Sequence, residues 1–358
     1  MFVALRDLKF AKGRFALMGT VIVLITLLVG LLSGLTAGLA HQNVSAITDL
    51  PVDRISFTAP TEGQDPSYSD SAVTEAQWRQ WSATPGVLSA EPLGITTTKA
   101  TADARSVAVS LFGVRPGSAL APDGDAIDDR SVTLSSPAAD DLGVTTGDTV
   151  TLAGRDLTVT TVRGEAYFSH TPVVWTSLAT WRHTAPPATG DMTVIALKTT
   201  SDTDLAAADA AAGTRTVAKD DSLPAIGSYS SENGSLQLMR GFLFAISALV
   251  IGAFFTVWTI QRSADIAILK ALGAPTATLL RDALGQALVL LLGGTLVGTV
   301  LAATTGALVA GGAVPFLLDP ATVLTPAATT ILLGTLGAAL AVRRITAVDP
   351  LTALGSAR

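Results

Sequence analysis

The chain reads as a membrane α-helical protein with four transmembrane helices and an inserted extracytoplasmic α+β domain. Three observations lead there. Of the 358 residues, 49% are hydrophobic and only 15% charged, with a mean hydropathy of +0.49. Four runs without Lys, Arg, Asp or Glu, at residues 15–40, 242–260, 283–310 and 322–342, are long enough to cross a hydrocarbon core, which takes about 20 residues. The charges are also segregated. Residues 41–239 carry twelve cations against twenty-four acids, whereas residues 1–14, 262–282 and 343–358 carry ten cations against four acids.

Taken in order, residues 1–14 interleave Phe2, Leu5, Leu8 and Phe10 with Arg6, Lys9 and Lys12, the pattern of an amphipathic helix lying in a membrane interface. Residues 15–40 form the first span. Its apolar run is too long for a signal peptide, and "GLAHQNV" lacks a good A-x-A cleavage site. Residues 41–239 form the extracytoplasmic domain and 240–261 the second span. Residues 262–281 form a cytoplasmic segment and 282–311 the third span, "LGQALVLLLGGTLVGTVLAATTGALVA". A short outer loop at 312–321, the fourth span at 322–342 and a cytoplasmic tail at 343–358 complete the chain. Cations collect on the cytoplasmic side of membrane proteins, so both termini and the 262–281 segment are expected inside a bacterial cell membrane.

Within the acidic block, "SVAVSLFGV", "SVTLS", "DTVTLAGRDLTVTTV", "TPVVWT" and "DMTVIALKT" show β-branched enrichment or alternation and read as strands. The third reads as a hairpin turning at Gly154–Arg155–Asp156. "TEAQWRQWSAT" and "DTDLAAADAAAG" read as short helices, the second with Asp202 near its start and Gly213 near its end. Pro- and Gly-rich stretches at 59–66, 113–124 and 184–190 read as loops.

No cysteine is present, so disulfides, iron–sulfur clusters and thiolate zinc sites are excluded. The three histidines, His41, His170 and His183, are too few for a multi-His metal centre. There is no G-x-x-x-x-G-K-[ST], G-x-S-x-G or H-E-x-x-H. Without a nucleotide cradle the chain is not expected to be an enzyme, and no nucleic-acid partner is expected.

Small residues recur at helical spacing inside the spans. Gly30, Gly34 and Gly38 form a candidate packing face on the first helix, Gly294 and Gly298 repeat on the third, and Gly334, Ala338 and Val342 follow on the fourth. After the second span, Ile266, Leu269, Lys270, Leu272 and Gly273 read as a short mixed apolar and charged helix, stopped at Gly273 with Pro275 beyond. Such a helix suits docking into a groove on a soluble partner.

"RSADIAILKALGAPTATLLRD" resembles the coupling helix of FtsX-like (MacB-type) ABC transporter permeases. "RRITAVDPLTALGSAR" resembles their C-terminal ending, and "DDLGVTTGDTVTLAGRDLTVTTV" the strand pair of their extracytoplasmic domains. The resemblance implies a permease homodimer in membrane lipid, served by separate cytoplasmic ATPase subunits that bind ATP and work the outer domains as levers. "GLLSGLTAGLAHQNVSAITDLPVD", "YFSHTPVVWTSLATW" and "SYSSENGSLQLM" are most similar to DevC- and HrtB-like permeases, which include haem exporters. By that resemblance the substrate is haem, expelled from the membrane for detoxification. Export of an antibiotic, peptide or lipid, regulation of a cell-wall hydrolase without transport, and a sensor with no ATPase are the alternatives.

Haem iron takes axial donors from His, Met, Tyr or sometimes a carboxylate. The residues near the outer membrane surface that offer them are His41, Tyr229, Glu232 and Met239. Tyr167 and His170 lie in the outer domain. No metal other than a haem iron is expected, and no intrinsic cofactor. Glu232 stands out because a carboxylate beside a membrane entry must find water, a cation or a ligand.

Overall fold

A computed structural model of the protein describes residues 12–185, 190–261, 268, 275–309 and 314–346. In chain order its elements are α1 (Lys12–Thr48), β1 (Arg54–Thr58), α2 (Glu75–Ser82), β2 (Val87–Ala102), β3 (Arg105–Val114), β4 (Ser131–Leu134), α3 (Ser136–Leu142), β5 (Thr149–Leu152) and β6 (Arg155–Val162). There follow β7 (Tyr167–Phe168), β8 (Thr171–Ser177), α4 (Leu178–Thr184), β9 (Val194–Thr199), α5 (Leu205–Ala212), β10 (Thr214–Ala218), α6 (Gly227–Gln261), α7 (Thr276–Val309) and α8 (Pro320–Thr346). The chain divides into two compact units: Met1–Gly38 with Ser235–Arg358, and Leu39–Gly234.

The first unit is a helical bundle. Four helices are long and apolar enough to cross a membrane, over Ala16–Thr48, Gly227–Gln261, Arg281–Val309 and Pro320–Ala341. Each helix is longer than the uncharged run that marks it in the sequence. α1 continues to Thr48, α6 begins at Gly227, and α7 already includes residues 276–281. Polar residues extend these helices because a helix satisfies its own backbone in lipid and water alike, so hydrophobicity does not mark its ends.

α1 and α7 run side by side in one direction with a fixed register. A Cβ added to Gly294 would stand 2.7 Å from Ile22 Cγ2, one on Gly298 2.7 Å from both Thr26 Cβ and the Val23 carbonyl, and one on Gly30 2.7 Å from Ala302 Cβ. The missing side chains are therefore what lets the two backbones meet, and lipid offers no hydrophobic drive to replace that contact. On α8, a Cβ at Gly337 would meet the Gly252 backbone of α6 at 3.3 Å, while Gly334 lies under Leu291 of α7. Met18, Ile22, Ile251, Phe255, Leu291 and Ala338 fill the space between. Thr256, Thr259 and Thr335 return their hydroxyl protons to the carbonyl one turn earlier, at 2.8, 2.6 and 2.7 Å, so they enter the bundle already satisfied.

The segment before α8 is more than a connection. Phe316 places its ring against both Gly34 and Gly306, and the Leu317 N–H donates to the Gly34 carbonyl at 3.1 Å. Gly38 faces the Pro315 backbone. Of the expected packing face on α1, Gly30 thus meets α7, whereas Gly34 and Gly38 receive this returning segment.

The second unit is a mixed ten-stranded sheet ordered β10-β1-β9-β2-β3-β8-β4-β6-β5, with β7 beside β8 and a further β2–β5 pairing. The β3–β8 and β4–β6 ladders are parallel and the others antiparallel. Successive strand residues point to opposite faces, and both faces are covered. Leu111, Val174, Ile195 and Leu197 enter one core beneath α2 to α5. Their neighbours Phe112, Val173, Trp175, Val194 and Ala196 enter the other, with Val44 and Ile47 from the end of α1 and Ile226 and Tyr229 around the start of α6. Trp181 of α4 is fully buried and lies over Gly94 of β2 and Gly113 of β3, where a Cβ on either glycine would run into its ring.

Three local details differ from the sequence reading. The β5–β6 hairpin pairs Leu152 with Arg155, so its turn is Ala153–Gly154 rather than Gly154–Arg155–Asp156. Both turn residues have positive φ, 48° and 81°, as the two-residue turn matching strand twist requires. Asp204, not Asp202, caps α5, its Oδ1 accepting from the Ala207 N–H at 3.0 Å. The sixteen-residue strand β2 is absent from the sequence reading because Pro92 and Gly94 argue against a central strand. Both residues nonetheless sit in regular register, Pro92 opposite Ile195 and Gly94 opposite Gly113.

Residues 1–11 of the expected interfacial helix, residues 347–358 of the expected tail, and Ile266, Leu269, Lys270, Leu272 and Gly273 of the expected coupling helix lie outside the described residues.

The glycine contacts set up a contrast between near neighbours on α7. Gly298→Leu should cost about 1–3 kcal/mol by overpacking, read as a lower unfolding midpoint in detergent. Gly293→Leu, with nothing within 4 Å of its added Cβ, should leave the midpoint near wild type. In the α+β unit, Trp181→Ala should cost about 3–5 kcal/mol, measurable as loss of the folded fraction on thermal melting.

Candidate functional site

Five of the six sequence-selected donor residues, His41, Tyr167, His170, Tyr229 and Glu232, belong to the second unit. The sixth, Met239, lies seven residues beyond Glu232 on the same helix, α6, in the first unit, and its side chain is exposed.

His170 sits at the tip of the β7–β8 hairpin. Phe168↔Thr171 is the last pair, leaving Ser169 and His170 as a two-residue turn with φ of 51° and 64°. Positive φ disfavours most side chains, and histidine is among those that tolerate it. An aromatic relay fixes the hairpin base: Phe168 packs edge-on to Phe112 at 5.7 Å and to Tyr68 at 5.5 Å, and Tyr68 to Phe57 at 4.9 Å. Burial pushes the Tyr68 phenol well above its usual range, so it stays protonated and shares a hydrogen bond with Ser222 Oγ at 2.9 Å. The hairpin tip is tied to α1 through its backbone. Ser169 N–H donates to the Asn43 carbonyl at 2.9 Å, and His170 N–H to the Gln42 carbonyl at 3.0 Å.

Three separate elements therefore converge. His170 Nε2 lies 2.9 Å from Glu232 Oε2 of α6. Asn43 of α1 is buried beneath them, with Nδ2 3.2 Å from His170 Nε2 and 3.4 Å from Glu232 Oε2. Its Oδ1 accepts from Ser228 Oγ at 2.7 Å, and Ser228 Oγ also lies 2.8 Å from Ser169 Oγ. Ser228 and Glu232 are four apart on α6 and so share a face. The imidazole and carboxylate keep 30% and 45% of their side-chain surface exposed, so an incoming group can reach both.

The remaining candidates lie beside this cluster. Tyr167, on the hairpin, is fastened to α1 by Ser45, whose Oγ accepts from Tyr167 N–H at 2.9 Å. Its ring meets His41 edge-on at 6.4 Å. Desolvation raises the Tyr167 phenol pKa, against a smaller opposing effect from its hydrogen bond with Gln42, so it remains a neutral donor at physiological pH. His41 Nε2 is buried without a hydrogen-bond partner. Tyr229 packs its half-buried ring on the second core.

Sequence reasoning selects the two reactive groups but passes over Asn43, Ser169 and Ser228, the residues that hold them. The available signals were an Asn two positions after His41 and a Ser one helical turn before Glu232. Among the described residues, no three His, Cys, Asp or Glu side chains gather as a metal site. The geometry instead supplies an accessible imidazole–carboxylate pair backed by a neutral, adaptable amide.

Comparison with known proteins adds the family. The MacB-like periplasmic core domain matches residues 15–215 and the FtsX-like permease C-terminal domain residues 238–350. A "Putative hemin transport system permease protein HrtB" of Staphylococcus haemolyticus is 26% identical over 361 residues, covering 99% of both chains. A protein of the same description from Staphylococcus epidermidis is 31% identical over 146 residues, 40% of this chain and 41% of that one. The extracellular domain of the ABC-type transporter YknZ from Gram-positive bacteria aligns at 14% identity with a TM-score of 0.35, over 47% of this chain and 98% of that one. With one domain match spanning more than half the chain and the other most of the remainder, the protein belongs to the FtsX/MacB-type family of ABC transporter permeases.

Proposed function

We propose that this permease exports haem from the membrane for detoxification, as a homodimer driven by separate cytoplasmic ATPase subunits. The observation that carries the reading is the convergence of His170 and Glu232, from a hairpin tip and a helix, on one buried amide. Imidazole and carboxylate are both donors that haem iron accepts. Tyr167 and His41 add an aromatic edge and a further donor nearby. The hemin transport named for the relatives agrees with this donor set.

Binding follows from which hydrogen bonds are cheap to exchange. A haem iron approaching Glu232 takes a carboxylate that is half exposed and already freed from full solvation. Asn43 Nδ2 then keeps its contact with His170 Nε2, so no buried polar group is stranded. The acidic domain lies outside the cell and both termini inside, by the distribution of cations. Its second core is built partly from α1 and α6, which continue into the bundle, so movement of those helices would repack the elements that hold Asn43 and Glu232. Closure of the ATPases on the inner face would supply that movement through the Ile266–Gly273 segment, with Leu269 and Lys270 in the docking surface.

Two tests follow. With the chain purified alongside its ATPase, Glu232→Gln and His170→Ala should each weaken haem binding by about tenfold, seen as a shifted visible titration. They should also lower the haem concentration that cells survive; Met239→Ala should have the same direction of effect on survival. Unchanged spectra and wild-type resistance would point to another exported amphiphile or to a purely mechanical role. Lys270→Glu should abolish co-purification of the ATPase while the permease stays in the membrane, and full retention of the ATPase would remove the docking assignment.

A further inference from the structure

Arg240 stands apart from the cluster above, in the helical bundle near the start of the apolar run of α6. A guanidinium in a membrane-spanning helix is expected to pair with an anion or reach the interface. Among the described residues it forms no ion pair. Its hydrogen bond is to a neutral group, Nη2 donating to Thr36 Oγ1 of α1 at 3.2 Å, and Thr36 passes its own proton to the Ser33 carbonyl at 3.0 Å. Asp319, the residue before α8, is engaged otherwise. Its Oδ1 accepts from the Thr322 N–H at 2.7 Å as the cap of that helix.

The guanidinium borders a cavity of about 210 Å³ lined by Ser33, Phe244, Thr325 and Pro326 among others. A water molecule occupies about 30 Å³ of liquid, so the space takes several waters or one compact anionic group. Its lining combines hydroxyls with an aromatic ring and a proline. Arginine presents five N–H donors in a planar fork that matches carboxylate and phosphate oxygens. One is used by Thr36.

We infer that Arg240 and this cavity form a binding site for the anionic head group of a membrane amphiphile, whose apolar body stays in the lipid beside α6 and α8. The shared chemistry is an oxyanion on a hydrophobic stem. A phospholipid phosphate supplies it, and so does a carboxylate on a transported amphiphile; only the second source rests on the haem reading.

The test uses the permease with its co-expressed ATPase in nanodiscs, as wild type, Arg240→Gln and Arg240→Lys, each first checked for a monodisperse complex. One arm counts phosphatidylglycerol retained from mixed phosphatidylcholine–phosphatidylglycerol discs by native mass spectrometry. The other compares visible titrations with hemin and with hemin dimethyl ester in phosphatidylcholine discs. Wild type should favour the anionic member in at least one arm by about tenfold, R240Q should lose that preference, and R240K should keep part of it. Loss confined to the first arm assigns the site to lipid, and loss confined to the second assigns it to the substrate's carboxylates. Failure of wild type to bind either hemin compound would sink the haem reading while the lipid arm still decides the site. No anionic preference in wild type, or R240Q equal to wild type in both arms, overturns the proposal and leaves Arg240 as a cation solvated at the interface.

Discussion

The bundle depends on the close approach of α1 and α7. In water, two apolar helices associate because solvent is excluded. In lipid that drive is absent, and contact distance decides whether dispersion is strong enough to hold them. Ile22 against Gly294, Thr26 against Gly298 and Gly30 against Ala302 repeat every four residues on both helices, so each turn contributes one such contact. The same removal of side chains makes room for Phe316 between Gly34 and Gly306, and the Leu317 N–H then reaches a helix carbonyl. Small residues on α1 and α7 therefore set two things at once: the pairing of these helices and the path by which the chain enters α8.

The α+β unit solves a different problem. It has no disulfide to limit its unfolded state, and it is built on one wide sheet. Covering both faces of that sheet supplies the burial that a cross-link would otherwise supplement. The four short helices close one face. The other is closed by the aromatic relay from Phe57 to Phe112 and by the ends of α1 and α6. The polar cluster forms along the second of these, because there a hairpin tip, a helix end and a helix start come within hydrogen-bonding reach of Asn43. Fold and site are thus one construction: the strands that build the core also aim His170.

Much of this was legible in the sequence, for physical reasons that differ by element. The four apolar runs stand out because bilayer thickness imposes a length that chance composition rarely meets. Strands such as β3 and β8 show through their β-branched residues, whereas β2 does not. Its Pro92 and Gly94 violate local preference, and Gly94 is small because Trp181 needs the space. Trp181 is 87 residues away in sequence, and local pattern carries no information at that range. The site divides in the same way. His170 and Glu232 are visible as reactive residue types, but their proximity is a tertiary fact, as is the role of Asn43. The insertion of Phe316 was hidden because a short apolar loop reads as a connection.

The arrangement around Asn43 has a consequence for exchange of partners. His170 Nε2 faces a donor, Asn43 Nδ2, and an acceptor, Glu232 Oε2, and one ring nitrogen serves only one of them at a time. With a proton on Nε2 the ring donates to Glu232, and Asn43 turns its donor to the same carboxylate. Without that proton the ring accepts from Asn43, and Glu232 is left to solvent or an incoming group. Either state leaves the buried amide paired, while Ser228 satisfies its oxygen throughout. A buried unpaired donor costs about 1–3 kcal/mol, so a cluster that avoids stranding one in both states places little penalty on the exchange. An ion pair of the same two residues without Asn43 would have to break outright before either could take a ligand. The amide converts that break into a transfer of hydrogen bonds.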